Sequence, residues 1–228
     1  MNKDTIEFLQ QLSENNSKEW MVENRAWYEQ TRNGFLLMVG DLLDELLMIN
    51  PGLQGLRPKD CTYRQNRDVR FSANKNPYKI NMGAYFSPQG KKSPFPGYYL
   101  HVEPGACFLA GGLRMPDAET LKKIRQEIDY SGEELQAILH EPEFRKAFGP
   151  LSGPQLKTSP KGYEKDHQYI DLLRFKGFLV RHPLTDEQVL SDQLIPTCME
   201  YFQKMNGFIG FLNRAVQDHE SGEGLLGA

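Results

Sequence analysis

Between Asn50 and Ile80 the apolar residues of this chain change their period, and a fold of helices alone or strands alone cannot satisfy both patterns. Up to Asn50 they recur at helical spacing: Ile6, Leu9 and Leu12 first, then, after Asn15-Asn16-Ser17, Trp20, Trp27, Thr31, Phe35, Val39, Leu42 and Leu46 along one stripe. From Ile80 the period is two. Ile80, Met82, Ala84 and Phe86 alternate with Lys79, Asn81, Gly83 and Tyr85, and Tyr98, Leu100 and Val102 alternate with Tyr99, His101 and Glu103. Helices with one apolar stripe and strands with one apolar face each need a partner surface. The pattern predicts an α+β fold: an antiparallel sheet built mainly from Asp60–Gly112 plus a strand near Phe178, packed by the N-terminal and C-terminal helices.

Local signals place the boundaries. Asn16, with Glu19 at N3, is expected to cap the second helix, and Asn50-Pro51-Gly52 to end it. Gly34 lies inside that helix and costs only about 1 kcal/mol relative to alanine. Pro104-Gly105 offers a turn from the Tyr98–Val102 strand into Ala106–Ala110, which makes a hairpin. Asp117 opens a helix through Leu121, Ile124 and Ile128, and Ser131 with Glu134 forms a capping box for a following one. The segment from Gly149 to His167 is rich in proline and glycine and has no apolar period, so it is a long loop, of a kind that is often functional. A short helix over Tyr169–Phe175, a strand over Gly177–Arg181, a Thr185–Gln188 cap and a long helix from Leu194 to Leu212 complete the prediction, Pro196 fitting the last helix's first turn. No linker or repeat divides the chain. Its 228 residues suit one domain over residues 1–217, with a polar, glycine-rich tail over 218–228 expected to be disordered.

Composition excludes several classes. At 39% hydrophobic, with 13 Phe and 10 Tyr, the chain can bury a core and is not a disordered one. Cys61, Cys107 and Cys198 stand far apart with no paired spacing, which signals neither a zinc ribbon nor a disulfide framework and suits a reducing, cytoplasmic setting. The N-terminus is too polar for a signal peptide, and the apolar run Phe35–Val39 is far shorter than the ~20 residues that span a bilayer, so no membrane partner is expected. No histidine pair has metal-ligand spacing, and neither the dinucleotide glycine fingerprint nor the P-loop occurs; no metal and no cofactor is expected.

Charge is distributed unevenly. From Arg57 to Lys92 there are nine basic residues and two acids, a window of +7 in a chain whose formal net charge is −3. Such a window repels itself unless an anion or neighbouring carboxylates neutralise it. If residues 62 to 72 were one extended strand, Arg64, Asp68, Arg70 and Ser72 would share a face and Asp68 would orient a guanidinium. Arg64, Arg67, Arg70, Ser72, Lys75 and Lys79, with Tyr78 and Tyr99 lining the space, then make a cradle for a phosphorylated small molecule or a nucleotide. Lys157 and Lys161, in the long loop, would complete that pocket if the loop folded over it.

Several of these segments carry a resemblance. Asn15-Asn-Ser-Lys-Glu-Trp20, Arg67-Asp-Val-Arg-Phe-Ser72, Lys75-Asn-Pro-Tyr-Lys79, Gly97-Tyr-Tyr-Leu-His-Val-Glu-Pro-Gly105 with Gly111-Gly112, and Leu156-Lys157 with Pro160-Lys-Gly-Tyr163 resemble, in this order, the bacterial domain of unknown function 2461 family. The resemblance runs from about Ile6 to Val216 and implies a single-domain cytoplasmic protein. It supplies no activity, cofactor or catalytic residue.

Candidate chemistry therefore rests on the residues themselves. His101 lies on the polar row of its strand between Tyr99 and Glu103 and is the best candidate for proton transfer, since histidine titrates near neutral pH; His167, in Lys165-Asp166-His167, is a second candidate base. Cys107 and Cys198 fall at packed rather than reactive positions, and Gly111-Gly112 fits a bulge or tight turn better than a ligand approach. Three functional readings follow: a phosphate-ligand protein, with or without catalysis; a non-catalytic module docking on nucleic acid or an acidic protein partner; and a fold whose arginines only brace buried carboxylates. The last predicts that Arg67→Ala unfolds the protein, with a loss of several kcal/mol.

Overall fold

The computed structural model describes residues 3–217; the tail over 218–228 lies outside the described residues. In chain order the elements are α1 (Lys3–Glu14), α2 (Lys18–Glu23), α3 (Arg25–Leu47), a 3-10 turn at Pro51–Leu53, α4 (Pro58–Cys61), β1 (Met82–Phe86), β2 (Gly97–Val102) and β3 (Phe108–Leu113). There follow α5 (Ala118–His140), α6 (Pro142–Phe148), α7 (Ile170–Leu173), β4 (Phe178–Pro183), α8 (Asp186–Leu190) and α9 (Leu194–Val216). The four strands form one antiparallel sheet in the order β1-β2-β3-β4, and about half the chain is helical: an α+β fold. No helix among the described residues is long and apolar enough to cross a membrane.

Two compact units are distinguished within the chain. The first comprises residues 3–93, 97–111 and 181–204. Its β1–β2 ladder pairs Met82 with Val102, Ala84 with Leu100 and Phe86 with Tyr98, so the alternation read from the sequence places these six side chains on one face, and all six are buried. Phe202 of α9 covers that face, its ring centroid 5.0 Å from Tyr98 and 6.4 Å from Phe86. Burial pushes the Tyr98 hydroxyl up to about 12, against a hydrogen bond with Asn50 that lowers it. Against α3, which buries Phe35, Met38, Val39, Leu42, Leu43 and Leu46, pack α1, α4 and β1.

The second unit comprises residues 94–96, 112–180 and 205–217. Here α5 packs on α6 and α7, and Arg125 of α5 donates from Nε to the carbonyl of Leu173 (2.9 Å) and from Nη2 to that of Phe175 (3.3 Å). The long loop after α6 is tied down by Arg174, whose Nε donates to the Leu156 carbonyl at 2.9 Å and whose Nη2 donates to that of Lys157 at 3.3 Å. Gly112, at φ +115°, lies so close to the Phe178 carbonyl that a β-carbon would collide with it, so this glycine serves strand packing.

The structure departs from the predicted boundaries at four places. Ser17, not Asn16, caps α2, its hydroxyl accepting from the Trp20 N–H at 3.1 Å. Asn16 is drawn instead to Tyr78, donating from Nδ2 to its carbonyl (3.1 Å) and accepting its N–H at Oδ1 (3.0 Å). A break at Asn24 (φ −102°, ψ 22°) divides the expected second helix in two, its side chain donating to the Trp20 carbonyl of the preceding turn. Ser131 (φ −123°, ψ 28°) kinks α5 rather than starting a separate helix. Finally, β3 begins at Phe108, because residues before it are used by the turn in which the Ala106 N–H donates to the Glu103 carbonyl. The caps at Asp117 and Thr185 form as expected, each accepting from the backbone N–H three residues on.

Candidate functional site

The basic segment does not form a strand. Two isolated bridges, Thr62 with Ala84 and Asn66 with Tyr78, are its sheet-like contacts, and the Arg67 N–H donates to the Pro77 carbonyl to close a compact loop. Inside it the cations serve the loop's own framework. Arg67 donates from Nη1 to the Asn76 carbonyl (3.0 Å) and from Nη2 to Ser72 Oγ (3.3 Å), while Lys75 Nζ donates to the Val69 carbonyl (3.1 Å). Arg70 makes a bidentate pair with Asp68, at 3.0 and 2.7 Å, which holds that exposed carboxyl below the usual carboxylate range. Between these cations Phe71 is 97% exposed. The single cradle imagined on an extended strand is thus split: Arg67, Arg70, Ser72 and Lys75 build the loop, and Arg64 and Lys79 stand at its base.

At that base, Lys79 Nζ lies 5.2 Å from the centre of the Tyr63 ring. Burial, and then the like charge of Arg64, lowers the Lys79 pKa from its ordinary value. Neither cation lies within ion-pair distance of a carboxylate among the described residues, although the charge of Arg64 helps to lower the Asp68 pKa. The Tyr63 ring meets Tyr99 edge-on, with centroids 6.4 Å apart.

Tyr99 begins the polar row foreseen in the sequence. Its hydroxyl lies 2.9 Å from His101 Nδ1, and His101 Nε2 lies 2.8 Å from Glu103 Oε2. Burial lowers the His101 pKa, Glu103 works against that shift and Arg181 adds to it, so the imidazole is neutral at neutral pH. A carboxylate only accepts; Nε2 therefore carries the proton and Nδ1 accepts the Tyr99 O–H. The result is a two-step relay from phenol to imidazole to carboxylate. Phe108 of β3 stacks on the imidazole (4.5 Å, 19°), and the Arg181 guanidinium of β4 lies 4.7 Å above the Phe108 ring. Gly83, opposite His101 in the ladder, makes room for the relay, since a β-carbon there would strike the Tyr99 hydroxyl.

His167 belongs to the second unit, where Nε2 is paired with Asp129 Oδ1 (2.9 Å) and Nδ1 accepts the Tyr169 N–H (3.1 Å). Lys157 and Lys161 are exposed residues of the same unit. All three cysteines are buried, and burial raises Cys61 and Cys107 to about 11 and Cys198 to about 12, which keeps the thiols protonated. Tyr78 is fixed through its backbone by Asn16. Sequence reasoning missed Phe108 and Arg181. Parity along β3 carried a signal for Phe108; Arg181 is a lone charge on a distant strand and carried none.

Fold and geometry define an α+β protein whose antiparallel sheet holds a half-buried tyrosine–histidine–carboxylate relay, with the Lys79 cation over a tyrosine ring that meets the relay's own. The chain belongs to the family described as conserved hypothetical proteins, DUF2461, whose model matches residues 4–211. No curated protein and no solved structure matches it.

Proposed function

We propose that this protein binds a phosphorylated small molecule beside the relay, with Arg64 and Lys79 holding the anion and Tyr99 exchanging a proton with the ligand through His101. The observation that supports this most is the placement of Lys79: it lies over the Tyr63 ring, partly withdrawn from water, with the like charge of Arg64 acting on it and only the exposed Asp68, itself engaged by Arg70, acting on Arg64, an arrangement that an anion relieves. The relay supplies what acid–base chemistry needs, a hydroxyl whose proton can pass to a neutral imidazole that is itself oriented by a carboxylate. The test is calorimetric titration with inorganic phosphate and phosphate monoesters at low salt. Binding that Lys79→Met weakens at least tenfold, and that His101→Gln leaves within twofold, is expected; a wild-type protein indifferent to every phosphate compound refutes the reading.

A second reading, a module that docks on nucleic acid, draws on Phe71, which is fully displayed between Arg70 and Lys75. Bases stack on such rings while cations track the backbone. It predicts salt-sensitive binding of single-stranded oligonucleotides that Phe71→Ala abolishes and Lys79→Met only weakens.

A further inference from the structure

The His101 imidazole has a neighbour that takes no part in the hydrogen bonds of the relay. On β3 the Phe108 ring stacks on it, with centroids 4.5 Å apart and planes at 19°, and on β4 the Arg181 guanidinium lies 4.7 Å from the centre of the same ring. The sheet order is β2-β3-β4, so the three side chains stand on adjacent strands with Phe108 in the middle. The guanidinium carbon is thus at most about 9 Å from the imidazole centre. Arg181 is exposed and forms no ion pair among the described residues.

Two charges act on the imidazole in opposite senses. Glu103, on its own strand and 2.8 Å from Nε2, favours the imidazolium; Arg181 opposes it. Of the other neighbours, β1 places Gly83 opposite His101 and Tyr99 presents its hydroxyl. The Cys107 thiol, kept protonated by burial, donates to the Glu103 carbonyl, and Asp186 of α8 accepts from that thiol and from the Gly105 N–H. The balance between Glu103 and Arg181 matters because Nδ1 must keep a lone pair to accept the Tyr99 O–H, and an imidazolium has none. Glu103 alone would draw a second proton onto the ring as pH falls, which would close the relay.

We infer that Arg181 is a positioning residue of the relay: Phe108 holds the imidazole plane between Tyr99 and Glu103, and the guanidinium beyond it sets a positive charge against a second ring proton, so that the relay stays open below neutral pH. The inference rests on the relay proposed above and supplies its lower pH limit.

NMR titration of the ligand-free protein tests this, the His101 imidazole signal being the one that disappears in His101→Gln. Arg181→Met should strengthen proton binding by His101 about two- to tenfold, the range for a unit charge at this distance between water and a half-buried setting. Arg181→Lys keeps the charge without the planar group and should titrate nearer to wild type than to Arg181→Met, which a merely structural role would not predict. An Arg181→Met titration that superimposes on wild type, or an Arg181→Lys titration that matches Arg181→Met, overturns the inference. No phosphate enters this measurement, so a protein indifferent to every phosphate compound refutes the anion site and leaves the action of Arg181 on His101 standing.

Discussion

Gly83→Ala is the most informative single substitution, because it acts on the relay without replacing any of its members. A methyl at this position would occupy space now taken by the Tyr99 hydroxyl, with the ring carbons next to it 3.0 Å away. The strand backbone is fixed by the ladder on both sides of Gly83, so the phenol must move. Its movement breaks the bond to His101 Nδ1, an atom of a side chain only 12% exposed. Leaving that acceptor unpaired costs about 1–3 kcal/mol, and alanine in place of glycine in a strand returns about 0.5–1 kcal/mol through the unfolded chain. The net loss is about 1–2 kcal/mol, or about 2–8 °C in Tm for a chain of this length.

Tyr99→Phe provides the control. In that background the hydroxyl and its bond are already gone, and the added methyl meets only ring carbons that need to shift by a few tenths of an ångström. Gly83→Ala should then change stability by less than about 0.5 kcal/mol, which gives a coupling energy of about 1–2 kcal/mol between the two positions. Differential scanning calorimetry of the wild type, both single variants and the double variant measures it. An equal cost for Gly83→Ala in both backgrounds would refute the argument that this glycine exists to seat Tyr99.

Three further outcomes are expected. Because burial depresses the His101 pKa below its ordinary 6.5, the unfolded chain binds the extra proton first as pH falls; the stability from neutral His101 is complete above about pH 6.5 and is lost as pH drops through the folded value, and His101→Gln should flatten that part of a urea-unfolding profile taken between pH 5 and 7.5. Arg125→Met removes the donor to the Leu173 and Phe175 carbonyls and should cost about 1–3 kcal/mol by denaturant unfolding, whereas Arg125→Lys, which cannot bridge both carbonyls, should recover only part of it. Arg67→Ala, whose guanidinium holds Asn76 and Ser72 rather than a carboxylate, should cost no more than about 1 kcal/mol yet speed tryptic cleavage at Arg70 and Lys75; a loss of several kcal/mol would restore the bracing role.

What the sequence disclosed about the site follows from how each residue gets there. Tyr99, His101 and Glu103 could be placed together before any coordinates because a strand's period of two is a property of the backbone, and one face of this strand was apolar. The arginine cluster was equally visible as charge, yet its geometry was not, because the groups that engage Arg67 and Lys75 are mostly main-chain carbonyls, which every residue possesses and no sequence pattern marks. Asn16 shows the same limit from the other side: asparagine and serine are both good caps, and a backbone 62 residues away decided between them. Gln65 shows it again: a single glutamine among arginines carries no charge to count, and only the fold brings the Asn81 and Lys79 carbonyls to its amide, which donates to both. Local periodicity therefore reveals the relay, while the placement of Lys79 over the Tyr63 ring, on which anion binding would turn, depends on tertiary neighbours.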